Sequence, residues 1–186
     1  KAAIEQIGIG FMFAPRFHPA MRHAASPRRE IGIRTVFNFL GPLTNPASAD
    51  AQVLGVSEAG LVQKMAQVLK GLDLKEAMVV HGLDGLDEIS TVGKTLIAWL
   101  RDGVIKTFEV VPEDLGVKRS SLESILCTGV EESAETTFQL LYGCLSPDHP
   151  KRSLVAVNAA AGFIVAGKAD DFAYGLELAQ ESIESG

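Results

Sequence analysis

Apolar and polar positions follow two periods along this chain, one typical of helices and the other of buried strands. Apolar residues recur at helical spacing from Leu61 to Leu72, between two short apolar runs at Ala51–Val56 and Ala77–His81. Such a strand–helix–strand order predicts a right-handed crossover within an α/β sheet.

A second pair of strands is predicted around a tight turn. The segments Thr95–Leu100 and Val104–Val111 flank Asp102-Gly103, a dipeptide that favours a two-residue hairpin. Helical patterns then follow at Glu131–Leu145, Leu154–Gly167 and Leu176–Ile183. We therefore expect an α/β fold, an incomplete sheet of mixed strand direction with helices packed over it.

Composition favours a single domain over residues 1–186, because 47% hydrophobic and 22% charged residues are ordinary globular values. No repeat, low-complexity tract or linker marks an internal boundary. Lys1–Ile7 resembles the last turns of a helix closed by Gly8, and the final helical pattern still runs where the chain stops. We expect the chain to be part of a longer protein.

The apolar stretches and the cysteines exclude several classes. Leu154–Gly167 has only fourteen residues and contains Asn158, so it is too short to cross a bilayer. No secretion signal opens the chain. Cys127 and Cys144 match no zinc spacing, and each is expected to be a small buried side chain. A cytoplasmic protein is the expectation.

Charge is distributed unevenly. The net charge of −6 argues against binding nucleic acid through bulk attraction. Yet five of the eight arginines fall between positions 16 and 34, together with His18 and His23, and Glu30 is the only acid there. This contrast indicates a local site for a small anion.

Arg28 is the strongest candidate for binding that anion. Pro19 suits the first position of a helix, and Pro27 should disturb its last turn, so that Arg28 leaves the helix at a kink. An arginine beside small alanines can hold an aromatic carboxylate bidentately. On spacing alone, a solvated helix face whose arginines pair with acids elsewhere is the simpler alternative.

Two loops could line a site. Gly41–Pro46 carries two prolines, which predict a stiff, extended loop that forms a pocket wall or merely connects two elements. Asp84, Asp87 and Glu88 directly follow the strand ending at His81, where ligands collect in open α/β sheets. They could hold a hard cation such as magnesium. Alternatively, Asp87 and Glu88 merely favour the start of the following turn through its dipole.

Other motifs fail on inspection. Gly93-Lys94-Thr95 resembles the end of a P-loop, but Glu88 stands where the required glycine should be. The sequence contains no glycine-rich phosphate cradle, and the four histidines have no partners at zinc-ligand spacing. His81 and Asn158 are predicted to be structural, the latter as a satisfied core amide.

Taken together, these segments resemble the anthranilate phosphoribosyltransferase family. The similarity covers the whole chain and is most specific between positions 28 and 46. The segments that carry it, in the order and spacing of the family, are residues 13–21, 28–32, 35–38, 41–46, 81–88, 158–161 and 175–179.

The resemblance implies an activity and a set of roles. The family transfers ribose 5-phosphate from phosphoribosyl pyrophosphate to the amine of anthranilate, with Mg²⁺ on the pyrophosphate and no side-chain nucleophile. Arg28 would bind the anthranilate carboxylate, and Asp87 and Glu88 would serve the magnesium. The positions expected to line the anthranilate tunnel are Ala14, Pro15, His18 and Pro42.

The resemblance also implies what lies outside these residues. The family's amino-terminal helical domain, its glycine-rich phosphate loop and a segment that closes over both substrates have no counterpart here. The chain would be the carboxy-terminal part of the catalytic domain, inactive by itself. Family members dimerise through the helical domain, so a homodimer is expected of the full-length protein and is uncertain for this chain.

Three other interpretations are weaker. A pyrimidine nucleoside phosphorylase shares the superfamily fold but does not explain Arg28 together with the 41–46 loop. A nucleic-acid-binding relative without catalysis should carry a broad basic surface, which the net charge of −6 does not support. A purely structural or interaction fragment differs from the enzyme only in whether the upstream sequence exists in the cell.

Overall fold

The computed structural model describes residues 2–11, 13–17, 30, 32, 37–45 and 47–185. The chain divides into two compact units, Lys1–Ser48 and Ala49–Gly186. In the first unit, the described helices are α1 (Ala2–Ile7), α2 (Ala14–Phe17) and α3 (Phe37–Leu43).

Helix α3 contains Pro42. The prediction of an extended loop from Gly41 onward is therefore wrong for residues 41–43, while Pro46 lies outside the described residues. Gly41 has no Cβ to meet the proline ring, so it keeps helical geometry ahead of Pro42. The hydroxyl of Thr44 then donates to the Leu40 carbonyl at 2.9 Å and so satisfies an acceptor at the end of the helix.

The second unit is built on a four-stranded sheet in the order β1-β2-β3-β4. Its strands are β1 (Ala51–Gly55), β2 (Glu76–Gly82), β3 (Thr95–Arg101) and β4 (Val104–Val110). β1 and β2 are parallel and are joined through helix α4 (Ala59–Gly71), whereas the β2–β3 and β3–β4 pairs are antiparallel. The predicted mixed sheet and the strand–helix–strand connection between its parallel strands are confirmed.

The turn between β3 and β4 has the geometry that its sequence predicts. Asp102 and Gly103 have φ angles of 51° and 71°. Positive φ at both central residues is the requirement of the tight hairpin turn that matches strand twist. The hairpin brings Ala98 opposite Thr107 and continues to Thr95 opposite Val110.

After β4 the chain is mainly helical. The elements are a 3₁₀ turn (Pro112–Leu115), α5 (Leu122–Ile125), α6 (Val130–Leu141), α7 (Pro150–Val165) and α8 (Phe172–Ser185). Among the residues that the structure describes, no helix is both long enough and apolar enough to cross a membrane.

The core lies on both faces of the sheet. Met78, Val80 and Ile97 pack in one buried cluster with side chains of α7 and α8, Val157 and Ile164 among them. Successive strand residues point to opposite faces, so Ala77 and Val79 turn away from that cluster. Helix α4 contacts β2 and β3 and buries its own apolar side chains, Val62, Met65, Ala66 and Leu69.

Helix α6 ends four residues earlier than its pattern predicts. Gly143 takes a left-handed conformation with φ of 65°, and the Cys144 N–H bonds back to the Gln139 carbonyl at 2.7 Å. This is the usual way in which a glycine closes a helix, and it prevails over the apolar spacing that continues to Leu145.

The cysteine prediction is wrong, because Cys127 and Cys144 are both exposed. Cys144 lies in the turn that closes α6, where the backbone leaves the helix and reaches the surface. Cys127 precedes the same helix, and its sulfur lies 3.3 Å from the Lys151 Nζ. Neither sulfur forms a disulfide in this structure.

The start of α6 is held to α7 by a charged hydrogen-bond group. Glu132 accepts from Lys151 Nζ at 2.8 Å and from the N–H and hydroxyl of Thr128 at 2.8 and 2.6 Å. The Lys151 hydrogen bond, followed by those from Thr128, lowers the pKa of Glu132 from 4.5 to about 2.

We expect this group to make stability depend on pH. Because the folded-state pKa of Glu132 is lowered, its stabilising contribution is present above the ordinary carboxyl pKa of 4.5 and is lost as the pH falls toward about 2. Urea unfolding between pH 2 and 6 measures this loss. In Glu132→Gln the slope over that window should be smaller, whereas Glu181→Gln, exposed on α8, should retain it. An identical slope in Glu132→Gln would contradict the assignment.

Candidate functional site

The predicted acidic residues lie in the loop of residues 83–94 between β2 and β3, which we call the acidic loop. Because β1 and β2 are parallel and paired through Gly55 and Val80, both end at the same edge of the sheet. The acidic loop starts from this edge, which is where open α/β sheets bind ligands. The sequence prediction of the loop's position is therefore confirmed.

Asp84 turns into the acidic loop and organises it. Its Oδ2 accepts a hydrogen bond from the Ser90 hydroxyl, and its Oδ1 accepts from the Leu86 N–H at 3.3 Å. The Ser90 oxygen in turn accepts from the N–H groups of Val92 and Gly93 at 2.9 and 3.1 Å. Both oxygens of Asp84 are thus engaged in holding the loop together.

Glycines make room for this carboxylate. A Cβ built on Gly82 would lie 2.6 Å from Asp84 Oδ1, and one built on Gly93 would lie 3.1 Å from Oδ2. Any side chain at Gly82 would push Asp84 out of its position. The absence of side chains at these two positions therefore allows Asp84 to make its hydrogen bonds within the loop.

The carboxylates of Asp84, Asp87 and Glu88 do not form one three-ligand metal site. Within the described part of the chain, no group of three or more His, Cys, Asp or Glu side chains is arranged to hold a metal ion. The expectation that Asp84 could join Asp87 and Glu88 is wrong, because Asp84 bonds to its own loop. Asp87 and Glu88, which we call the acidic couple, remain.

The electrostatics of the acidic couple favour a cation. Glu88 is half-buried, and its pKa is raised from the ordinary value of 4.5, first by burial and then by the neighbouring charge of Asp87. Asp87 is exposed. Two adjacent carboxylates, one of them partly removed from water, bind a positive ion more readily than isolated ones. The ion offsets both the burial of the Glu88 charge and its repulsion by Asp87.

The backbone of Asp87 lies against the end of β1. A Cβ built on Gly55 would lie 1.7 Å from the Asp87 carbonyl oxygen and 2.8 Å from its carbonyl carbon. No side chain fits in that space, so a glycine at position 55 allows the acidic loop to fold down over the strand. Beyond β1, the Val56 carbonyl lies 2.8 Å from the His81 Nδ1, which fixes the same edge.

Asn158 of α7 reaches the acidic loop from the helical layer. Its Oδ1 accepts from the Ile89 N–H at 2.9 Å, and its Nδ2 donates to the Ile89 carbonyl at 3.0 Å. The same nitrogen lies 3.3 Å from Glu88 Oε2 and 2.9 Å from the Leu154 carbonyl. The predicted satisfied core amide is confirmed, and its partners belong to the acidic loop.

The remaining predicted site residues belong to the first unit. Arg28 and His18 lie outside the described residues, as does the helix predicted to begin at Pro19. Ala14 and Pro15 begin α2, but their side chains are outside the described part of the chain. Pro42 lies within α3. The roles that the resemblance implies for these five residues stay predictions.

Sequence reasoning missed Gly55, Ser90 and the link from Asn158 to the acidic loop. Gly55 is the last residue of a strand, where the pattern gives no reason to expect a close contact. Asn158 lies 69 positions from Ile89, so no local spacing connects them. The available signal was a lone amide among the otherwise apolar residues 154–165, because a half-buried amide must find partners.

We expect Gly55→Ala to disturb the acidic loop. The added methyl group must displace the Asp87 carbonyl, and overpacking of this kind costs about 1–3 kcal/mol or more. Gly60→Ala is the matched control, because nothing lies within 4 Å of a Cβ at that helical position. Denaturant unfolding should show a loss of stability in the first variant and not in the second. If Gly55→Ala were as stable as Gly60→Ala, the contact between Gly55 and Asp87 would not constrain the acidic loop.

The whole chain matches the sequence profile of the glycosyl transferase family, a/b domain, over residues 1–186. It is 52% identical to an anthranilate phosphoribosyltransferase of Dehalococcoides mccartyi (100% of this chain, 54% of the relative). It is 49% identical to that of Nitrosomonas europaea (99% of this chain, 53% of the relative). The chain therefore spans about half the length of these curated relatives.

Solved structures of this family share the fold. The crystal structure of anthranilate phosphoribosyltransferase from Thermus thermophilus superposes with a TM-score of 0.90 at 43% identity, covering 99% of this chain and 54% of that one. The enzyme from Saccharomyces cerevisiae in complex with PRPP and Mg gives 0.85 at 31% identity, covering 94% and 50%. By profile, sequence and fold, the chain belongs to the glycosyl transferase family and corresponds to its α/β domain.

Proposed function

We propose that this chain takes part in anthranilate phosphoribosyl transfer, the formation of a bond between the amine of anthranilate and the ribose of phosphoribosyl pyrophosphate, with release of pyrophosphate. The observation that carries the proposal is the acidic couple at the edge where β1 and β2 end. This edge belongs to a chain that is 52% identical to a relative named for the reaction.

The acidic couple has the donor set that magnesium requires. Mg²⁺ takes one or two protein carboxylates and completes its shell with water and substrate phosphates. Asp87 and Glu88 are two such groups, and the raised pKa of Glu88 reflects a half-buried carboxylate beside a like charge. The ion would neutralise charge on the departing pyrophosphate. The yeast relative complexed with PRPP and Mg supports this assignment.

The roles of the first unit follow from the resemblance. The Arg28 guanidinium would hold the anthranilate carboxylate by paired hydrogen bonds and so orient the amine toward the ribose. Ala14, Pro15, His18 and Pro42 would line the path by which anthranilate enters. The amine nitrogen forms the new bond to the ribose carbon as the bond to pyrophosphate breaks, and the amine then loses a proton.

Catalysis in this proposal is positioning combined with charge stabilisation. The roles assigned to this chain include no side-chain nucleophile. Its contributions are the orientation of the amine and the placement of two carboxylates beside the leaving group. Because the 186 residues contain no glycine-rich phosphate cradle, the activity is proposed for the longer protein that the relatives represent.

Neutralising the acidic couple should lower the apparent affinity for magnesium. In the full-length protein, Asp87→Asn and Glu88→Gln keep the shape of the side chains but remove the charges that attract the ion, so more Mg²⁺ should be needed for half-maximal rate. Anthranilate fluorescence, followed at increasing Mg²⁺, measures the change. Glu131→Gln, an exposed carboxylate on α6, is the control. Unchanged magnesium titrations in both variants would remove Asp87 and Glu88 from the site.

Arg28→Ala should weaken the use of anthranilate in the full-length protein. Loss of a charged hydrogen bond costs about 1.5–3 kcal/mol, which should appear in kcat/KM for anthranilate. Arg29→Ala removes the same charge one position along the chain and should have a smaller effect. If Arg28→Ala matches the wild type while phosphoribosyl pyrophosphate is saturating, the assignment of Arg28 fails.

A further inference from the structure

We infer that Asn158 is a positioning residue for divalent-cation binding, which it supports by fixing the Ile89 backbone and the Glu88 carboxylate from helix α7. The inference rests on the proposed function of the acidic couple. It adds a residue outside the acidic loop, on an element that contributes no other hydrogen bond to the couple among the residues that the structure describes.

The orientation of the Asn158 amide is determined by its partners. The Ile89 N–H can only donate, so it must face the Asn158 oxygen, at 2.9 Å. The amide nitrogen then faces the Ile89 carbonyl at 3.0 Å and Glu88 Oε2 at 3.3 Å. A flipped amide would place its oxygen against a carbonyl and a carboxylate. The two hydrogens of this nitrogen serve three acceptors, because the Leu154 carbonyl also lies 2.9 Å away, so Glu88 accepts the longest of these hydrogen bonds and shares its donor.

The contacts fix Ile89 at two points. One amide accepts from its N–H and donates to its C=O, so the peptide units on both sides of Ile89 are held to α7. The Ile89 side chain is 0% exposed and belongs to the same buried cluster as Val157. With Ile89 fixed in this way, the backbone of the preceding residue, Glu88, has little freedom.

The acidic couple is thus held from two directions. Gly55 limits the position of the Asp87 carbonyl from the sheet, and Asn158 limits Glu88 and Ile89 from the helical layer. Groups that orient metal ligands typically change metal affinity by about 10–100-fold when they are removed, because the ligands must then be ordered on binding. An amide that merely satisfied the core would have no such effect on an ion.

Magnesium binding by the full-length protein tests the inference without catalytic turnover when phosphoribosyl pyrophosphate is present and anthranilate is withheld. Amide NMR shifts of Asp87 and Glu88 during a Mg²⁺ titration give Kd. Asn158→Leu keeps the approximate size of the side chain but removes its polar atoms, and it should raise Kd by about tenfold or more. Asn158→Ala is the second variant, for use if the leucine form does not fold, because it leaves space for a water between Ile89 and α7.

Two controls separate positioning from general stability. Val62→Ala removes methyl groups from a side chain of α4 that is 0% exposed and lies outside the buried cluster containing Ile89, so it lowers stability without altering the packing of the acidic loop in that cluster. Its Kd for Mg²⁺ should equal that of the wild type. In a Glu88→Gln background, Asn158→Leu should have a smaller effect on Kd, because the carboxylate that Asn158 positions has already lost its charge.

The outcomes distinguish the inference from the function on which it rests. If Asp87→Asn and Glu88→Gln raise Kd while the Asn158 variants bind like the wild type, the inference is overturned and the metal site stands. A rise in Kd in Val62→Ala equal to that in Asn158→Leu also overturns it. If the wild-type protein shows no saturable shift at Asp87 or Glu88, or if neutralising them changes nothing, both proposals fall.

Discussion

The close approach of the Asp87 carbonyl to Gly55 is the contact on which the geometry of the acidic loop depends. A β-carbon at position 55 would lie 1.7 Å from that oxygen, so the loop can fold over the end of β1 only above a glycine. Parallel pairing of β1 and β2 brings the two segments together, and the missing side chain lets them touch. The position of the acidic couple is therefore set as much by the glycine at the end of β1 as by the acids themselves.

Carboxylates within the acidic loop have different roles. Asp84 accepts hydrogen bonds from Ser90 and from the Leu86 N–H, so its charge is used inside the loop. Glu88 is half-buried beside Asp87, and the raised pKa of its carboxyl records the cost of keeping both groups ionised. A cation lowers that cost, whereas the bonds of Asp84 need none. Proximity along the sequence does not distinguish these roles, because they depend on the direction of each side chain.

Much of the fold was predictable from the sequence because periodicity and turn chemistry are local. The apolar run of β2, the helical spacing of α4 and the Asp102-Gly103 turn are all confirmed. Local rules failed where two of them competed. Gly143 closes α6 against an apolar pattern that continues, and Gly41 allows α3 to continue into Pro42.

The candidate site was predictable only in part. The acids and their place after β2 follow from the pattern, but the burial of Glu88 and the inward turn of Asp84 depend on contacts that form only in the folded chain. Asn158 was predicted to be satisfied without any indication of its partners, which lie 69 and 70 positions away. The exposure of Cys127 and Cys144 likewise depends on how α6 begins and ends, which composition does not determine.

The strand order bears on how the chain reaches this structure. β2, β3 and β4 follow one another in sequence and each pairs with the next, so their contacts close short loops. Contacts that are close in sequence close their loops at a smaller entropic cost than distant ones, so we expect the antiparallel meander to form early. The acidic loop is enclosed by the early meander, whereas its bonds to Asn158 span about 70 positions and await the docking of α7. Until α7 docks, the Ile89 peptide lacks these partners, so we expect the part of this edge that carries the acidic couple to become ordered late.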